Sequence, residues 1–258
     1  MKYIRYETSD EKKCVGILED DLIYPTKYSS IVEAIENEET LKDTYAQGSY
    51  VNIDDVKILT PVNPTKVVCV GLNYKNHADE LEMTLPSEPL LFMKPSSSVI
   101  ASKEEIVYPG DTEKLDFEAE LGIVILSEIN RKNNDTFKIA YTIINDVTAR
   151  DLQEKDGQWT RSKSFDTFCP VGPVIVTNIN PLNQRIYSKV NGEIKQDSNT
   201  KNMIFSPEYL VEYVSNIMTL YPGDLIATGT PPGIDHLKKD DVITIGIEDI
   251  GILENIVK

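Results

Sequence analysis

The chain has 258 residues, enough for one large domain or a large one with a small companion, and 40% of them are hydrophobic and spread along its whole length, which argues against disorder. Lys and Arg number 26 against 42 Asp and Glu, a net charge of −16 that repels phosphate backbones and anionic leaflets and argues against nucleic-acid and membrane partners. The start, Met1 to Glu7, has no apolar signal core and no stretch nears the roughly 20 apolar residues that span a bilayer, so a soluble, cytoplasmic protein is expected, with Cys14, Cys69 and Cys169 as reduced thiols.

Short β-type runs at Lys2 to Tyr6, Cys14 to Leu18 and Leu22 to Tyr24, then a helical stretch near Ser30 to Tyr45, suggest a small N-terminal subdomain over 1–60. The prolines of Thr60-Pro61-Val62-Asn63-Pro64 make a boundary, and 61–258 reads as a second, larger domain. Beyond it, apolar or β-branched runs at Val67 to Leu72, Leu90 to Met93, Leu121 to Leu126, Tyr141 to Ile144, Val174 to Thr177, Leu225 to Ala227 and Val242 to Ile247 read as buried strands. Asn191-Gly192 is a hairpin turn between Ile186 to Val190 and Glu193 to Gln196, because both residues accept positive φ. Ser206 caps one clear helix, with Pro207 in its first turn and Tyr221-Pro222-Gly223-Asp224 as its stop. Strands outnumber helices without regular βαβ alternation, so the fold class expected is α+β with mixed or antiparallel sheet.

Asp116, Glu118 and Glu120 alternate with apolar residues, which on a strand places three like charges on one face. A wet acidic edge strand accounts for that pattern, and so does a bound cation that relieves buried carboxylates. Asp146 ends another apolar run, and two Glu with one Asp form a hard, all-oxygen set suited to Mg²⁺, Mn²⁺ or Ca²⁺. His77, with Glu80 on the same helical face, has the makings of a general base, although a polar surface helix gives the same pattern; His236 reads as a surface residue. Lys163 follows Trp159 and precedes the rigid turn Pro170-Val171-Gly172-Pro173, where its cation can meet a substrate carboxylate or enolate, although an ordinary loop lysine gives the same pattern. Thr228-Gly229-Thr230-Pro231-Pro232-Gly233 offers backbone N–H groups to an anion or serves as a tight turn.

These motifs occur in one order: Gly71-Leu72-Asn73-Tyr74 with His77 and Glu80, Phe92-Met93-Lys94-Pro95, Asp116-x-Glu118-x-Glu120-Leu121, and Asn145-Asp146-Val147-Thr148-Ala149-Arg150-Asp151. Lys163-Ser164-Phe165-Asp166, Asn191-Gly192-Glu193 with Gln196, and Pro222-Gly223-Asp224 through Gly229-Thr230-Pro231 complete the series. Over about 61–258 the series resembles the fumarylacetoacetate hydrolase family. The resemblance implies that family's mixed β-sheet roll, a Mg²⁺ or Mn²⁺ site from Glu118, Glu120 and Asp146, and a homodimer. It implies His77 and Glu80 as a water-activating pair on a lid segment, Lys163 facing the substrate, and Arg150, Gln153 and Thr230 orienting it. Two positions depart from the pattern: Ser162 stands where glycine often precedes the lysine, and Asp240 where glycine often precedes the late Asp.

The activity so implied is divalent-metal-dependent hydrolysis or decarboxylation, breaking a C–C bond in a β-keto 2-oxo acid of the acylpyruvate or oxaloacetate type. A dienoate isomerase or keto–enol tautomerase working through the same enolate is the alternative. A noncatalytic metal- or small-acid-binding protein on the same scaffold is the third reading.

Overall fold

A computed structural model describes residues 1–41, 48–76 and 85–258. Among these, strands dominate, and the fold is α+β as expected. One mixed sheet of twelve strands runs through the molecule. Its centre is the antiparallel set Cys169–Val176, Ile139–Asn145 and Ala119–Ile125, followed by Leu225–Ala227, then Val67–Gly71 in parallel, and last the edge strand Leu90–Lys94.

The first sixty residues join this same sheet. Lys2–Glu7 pairs with Cys169–Val176, Lys2 opposite Val176, and carries Lys13–Glu19 and Leu22–Pro25 outward on its other side. Helix formation near Ser30 is also met: Ser30 caps Ile31–Glu36 by accepting from the Glu33 N–H at 3.1 Å, and a short helix Glu38–Leu41 follows. The remainder of the expected helical stretch, 42–47, lies outside the described residues.

A strand's period of two distributes the core. Val68, Val70, Leu121, Ile123 and Ile143 project to one face, where Ile186, Ile243, Ile245 and Leu253 of a second, five-stranded sheet and Leu210, Val211 and Val214 of the helix Pro207–Ser215 cover them. Val67, Cys69, Val124 and Ile144 project to the other, under Ile31, Ala34 and Leu41. The central strands are thus buried on both faces, which is why they read as continuous apolar runs.

Two sequence expectations change. Pro170-Val171-Gly172-Pro173 is not a turn but lies inside Cys169–Val176. A register shift between Tyr141 and Ile143 of the neighbouring strand accommodates the prolines, and the Thr142 hydroxyl donates to the Val174 carbonyl at 2.8 Å. The Gly251–Val257 strand, which pairs along Val242–Ile247, escaped the sequence reading because its Leu-Glu-Asn stretch breaks the apolar pattern. The Asn191-Gly192 hairpin forms where expected, with both residues at positive φ.

Candidate active site

The acidic residues meet because of backbone pairing. Ala119 lies opposite Asn145 in the ladder, the Asp146 N–H donates to the Glu118 carbonyl at 3.0 Å, and the Glu118 N–H donates to Asn145 Oδ1 at 3.1 Å. Carboxylate oxygens of Glu118, Glu120 and Asp146 consequently lie within 4.8 Å of one another, and all three side chains are buried. Of the two sequence readings, the wet acidic strand is thereby overturned. Glu120 is held further by the Gly229 N–H, at 2.7 Å. Gly229 sits at φ +95°, and a Cβ there would stand 2.8 Å from that of Asn73, so only glycine brings this N–H in.

Cations surround the triad. Lys163 Nζ donates to Glu118 Oε2 at 3.0 Å and Asp146 Oδ2 at 2.7 Å, and the buried Lys94 donates to Asp146 Oδ1 at 2.6 Å and the Val147 carbonyl at 2.9 Å. Arg150, opening the helix Arg150–Asp156, donates to Glu118 Oε1 at 2.5 Å, Asp116 Oδ2 at 2.8 Å and Gln153 Oε1 at 2.6 Å. Burial opposes ionisation of Glu118, but Lys163 and Arg150 outweigh it and hold that carboxyl down at about 2. Glu120 goes the other way: burial first, then the charges of Asp146 and Glu118, push it well above the usual carboxylate range. Burial also works against the Lys163 ammonium, yet Asp146 and Glu118 raise its pKa.

Asp116 does not belong to the triad. It turns to Arg150 on one side and on the other pairs with His236 Nδ1. His236 is at the surface as expected, half exposed, and its ring braces the aspartate that braces Arg150. Thr230 spends its hydroxyl on the fold, donating to the Ala119 carbonyl at 2.9 Å and accepting from Gln196 at 2.8 Å. Ser162 is buried and donates to the Trp159 carbonyl at 2.9 Å, away from the Lys163 ammonium. Asp240 takes φ +71°, the conformation that explains glycine at that position, and pairs with Lys258. His77 and Glu80 lie outside the described residues.

Lys94 was assigned no role from sequence. The available signal was a lysine closing the apolar run Leu90 to Met93, where a strand end delivers its side chain inward. Among the described residues, a cavity of about 210 Å³ opens on this cluster, with Glu118, Glu120, Arg150, Gln153, Lys163 and Thr230 at its polar end.

The donor set fits a hard divalent cation. All three groups offer oxygen, each carboxylate oxygen keeps a free lone pair, and a positive charge would offset the burial and the repulsion that raise the Glu120 pKa. A family model for the fumarylacetoacetate (FAA) hydrolase C-terminal domain matches residues 66–258. The chain belongs to the fumarylacetoacetate hydrolase family. An uncharacterized protein of Methanocaldococcus jannaschii is 55% identical over 214 residues, covering 82% of this chain and 88% of that protein. The mitochondrial oxaloacetate tautomerase Fahd2a of Rattus norvegicus is 37% identical over 260 residues, covering 93% and 83% respectively. The fumarylacetoacetate hydrolase structure from Exiguobacterium antarcticum superimposes with a TM-score of 0.88 at 36% identity, over 100% of this chain and 99% of that one. The family's mixed-sheet roll is thus the fold of this chain, and relatives in the family carry the names of hydrolases and tautomerases.

Proposed function

We propose that this family member is a divalent-metal-dependent enzyme that cleaves the C3–C4 bond of β-keto 2-oxo acids of the acylpyruvate or oxaloacetate type. The observation that carries the reading is the buried Glu118, Glu120 and Asp146 triad flanked by the ammonium of Lys163 and the guanidinium of Arg150. Mg²⁺ or Mn²⁺ held by the three carboxylates would supply Lewis-acid polarisation of a chelating 2-oxo acid. Lys163, whose raised pKa keeps it an ammonium, places its positive charge where an enolate oxygen develops negative charge. Arg150, fixed by Asp116 and Gln153, presents a rigid cationic fork for a substrate carboxylate. His77 and Glu80 are proposed to activate the water that hydrolysis requires; decarboxylation does without that water.

Keto–enol tautomerisation of oxaloacetate is the second reading, favoured by the named activity of the rat relative. One assay series separates the two. With oxaloacetate and Mn²⁺, pyruvate release marks cleavage, whereas loss of the enol absorbance without pyruvate marks tautomerisation. Chelator and Lys163→Ala should abolish either, and inertness toward oxaloacetate and acetylpyruvate alike would refute both. If cleavage is hydrolytic, His77→Ala should suppress acetylpyruvate turnover far more than oxaloacetate decarboxylation.

A homodimer is proposed as well. Its support is the edge strand Leu90–Lys94, which leaves Leu90 and Met93 exposed at the end of the central sheet. Light scattering on the purified protein tests it.

A further inference from the structure

The cavity has two chemically distinct ends. Opposite its charged residues stands an apolar wall built from Leu72, Leu90, Phe92 and Trp159. At about 210 Å³ the space falls below the roughly 300–1,000 Å³ usual for sites that take drug-sized ligands. Where the wall stands therefore decides how much carbon chain fits beyond a head group held by the charged end.

Trp159 is fixed in this wall from three directions. Its ring meets Phe92 edge-on, centroids 5.0 Å apart at 74°. Its benzo edge packs beside Gly71, where a Cβ would come within 3.1 Å of Cζ3 and 3.2 Å of Cη2. Its carbonyl accepts from the Lys163 N–H at 3.1 Å and from the Ser162 hydroxyl at 2.9 Å, so the ring and the Lys163 backbone belong to one turn. Phe92 links them again, for its ring centroid is 4.9 Å from Lys163 Nζ. The ring makes no contact with the carboxylate triad through any hydrogen bond, so it can be altered while the charged end stays in place.

We propose that Trp159 is the specificity-determining wall of the site: it stops the substrate chain shortly beyond the 2-oxo acid head and so selects compact, four-carbon acids over those with a long acyl arm. The inference rests on the 2-oxo acid reading above and names the residue that sets the size limit. Lengthening the substrate against a fixed indole forces either expulsion of the chain or displacement of the turn that carries Lys163, and both cost binding. Gly71 belongs to the same wall, because a side chain at that position meets the indole and Leu90 and takes up room where the cavity is lined.

The test compares kcat/KM for oxaloacetate with that for 2,4-dioxo acids of increasing chain length, all with Mn²⁺. The wild type should lose efficiency as the chain grows. In Trp159→Ala the long-to-short ratio should rise roughly 10-fold or more, the scale on which apolar pockets discriminate by a methylene, with the change mainly in KM. Gly71→Ala should move the ratio the opposite way. Trp159→Phe, a milder truncation, should shift the ratio in the same direction as alanine and serves if the alanine variant does not fold. A readout independent of turnover is available, since Trp159 is the sole tryptophan of the chain. Its fluorescence should change when a short 2-oxo acid is added to the Mn²⁺-loaded protein. An active wild type whose long-to-short ratio is unaltered in folded Trp159 variants overturns the wall alone. A wild type inert toward every acid overturns the functional reading and the substrate class named here with it.

Discussion

At the scale of single residues, Glu118 and Glu120 show how two carboxylates two positions apart acquire opposite behaviour. Glu118 faces Lys163 and Arg150, so its depressed pKa gives stability that is fully present above about pH 4.5 and is lost as the pH falls toward 2. Glu120 retains its proton more tightly folded than unfolded, so its contribution declines as the pH climbs above 4.5. Glu120→Gln, which keeps an oxygen for the Gly229 N–H, should raise the melting temperature of the metal-free protein, by a margin that widens from pH 4.5 upward, while abolishing Mn²⁺ binding; scanning calorimetry at several pH values with and without Mn²⁺ checks both. The same logic makes wild-type Mn²⁺ affinity strengthen with rising pH, because the cation competes with the Glu120 proton. Asp116 acts at one remove. Asp116→Asn should loosen the Arg150 fork and raise KM for a 2-oxo acid several-fold with a smaller change in kcat, and equal changes in both would place Arg150 in a different role.

At the scale of elements, the pairing of Ala119–Ile125 with Ile139–Asn145 is what turns distant acids into a cluster, and its tightest point is Gly122. A Cβ there would come within 2.7 Å of Ile144 and 2.9 Å of Thr142. Gly122→Ala should therefore cost about 1–3 kcal/mol through overpacking, read as a lowered denaturant midpoint at unchanged slope. This element also shows what the chain made legible in advance. Apolar runs such as Val67 to Leu72 and Leu225 to Ala227 announced themselves because strands buried on both faces need no polar alternation. Glu118, Glu120 and Asp146 were readable as a hard ligand set by type, while their convergence depended on a register that no local pattern encodes. Asp116 misled, since strict alternation put it with the other two, whereas the chain leaves the ladder between Asp116 and Ala119 and the side chain turns to Arg150 and His236. Lys94 left a signal in its place at the end of an apolar run, whereas nothing around His236 pointed to Asp116, 120 positions away.

At the scale of the whole molecule, cation binding should couple to global stability. A cation at 100 times its dissociation constant adds about 2.7 kcal/mol, which for a chain of this size corresponds to a melting-temperature rise of roughly 5–10 °C. Thermal scans with saturating Mn²⁺, reversed by chelator, check this, and no shift would remove the cation from the triad. The central sheet carries a separate lesson for how the protein is made. Lys2–Glu7 pairs with Lys13–Glu19 on one side, but on the other Lys2 finds its partner in Val176, so that edge stays open until Cys169–Val176 has been translated. Through that interval the open edge of Lys2–Glu7 needs shelter, and a variant lacking residues 1–60 would leave the Cys169–Val176 flank bare and adhesive.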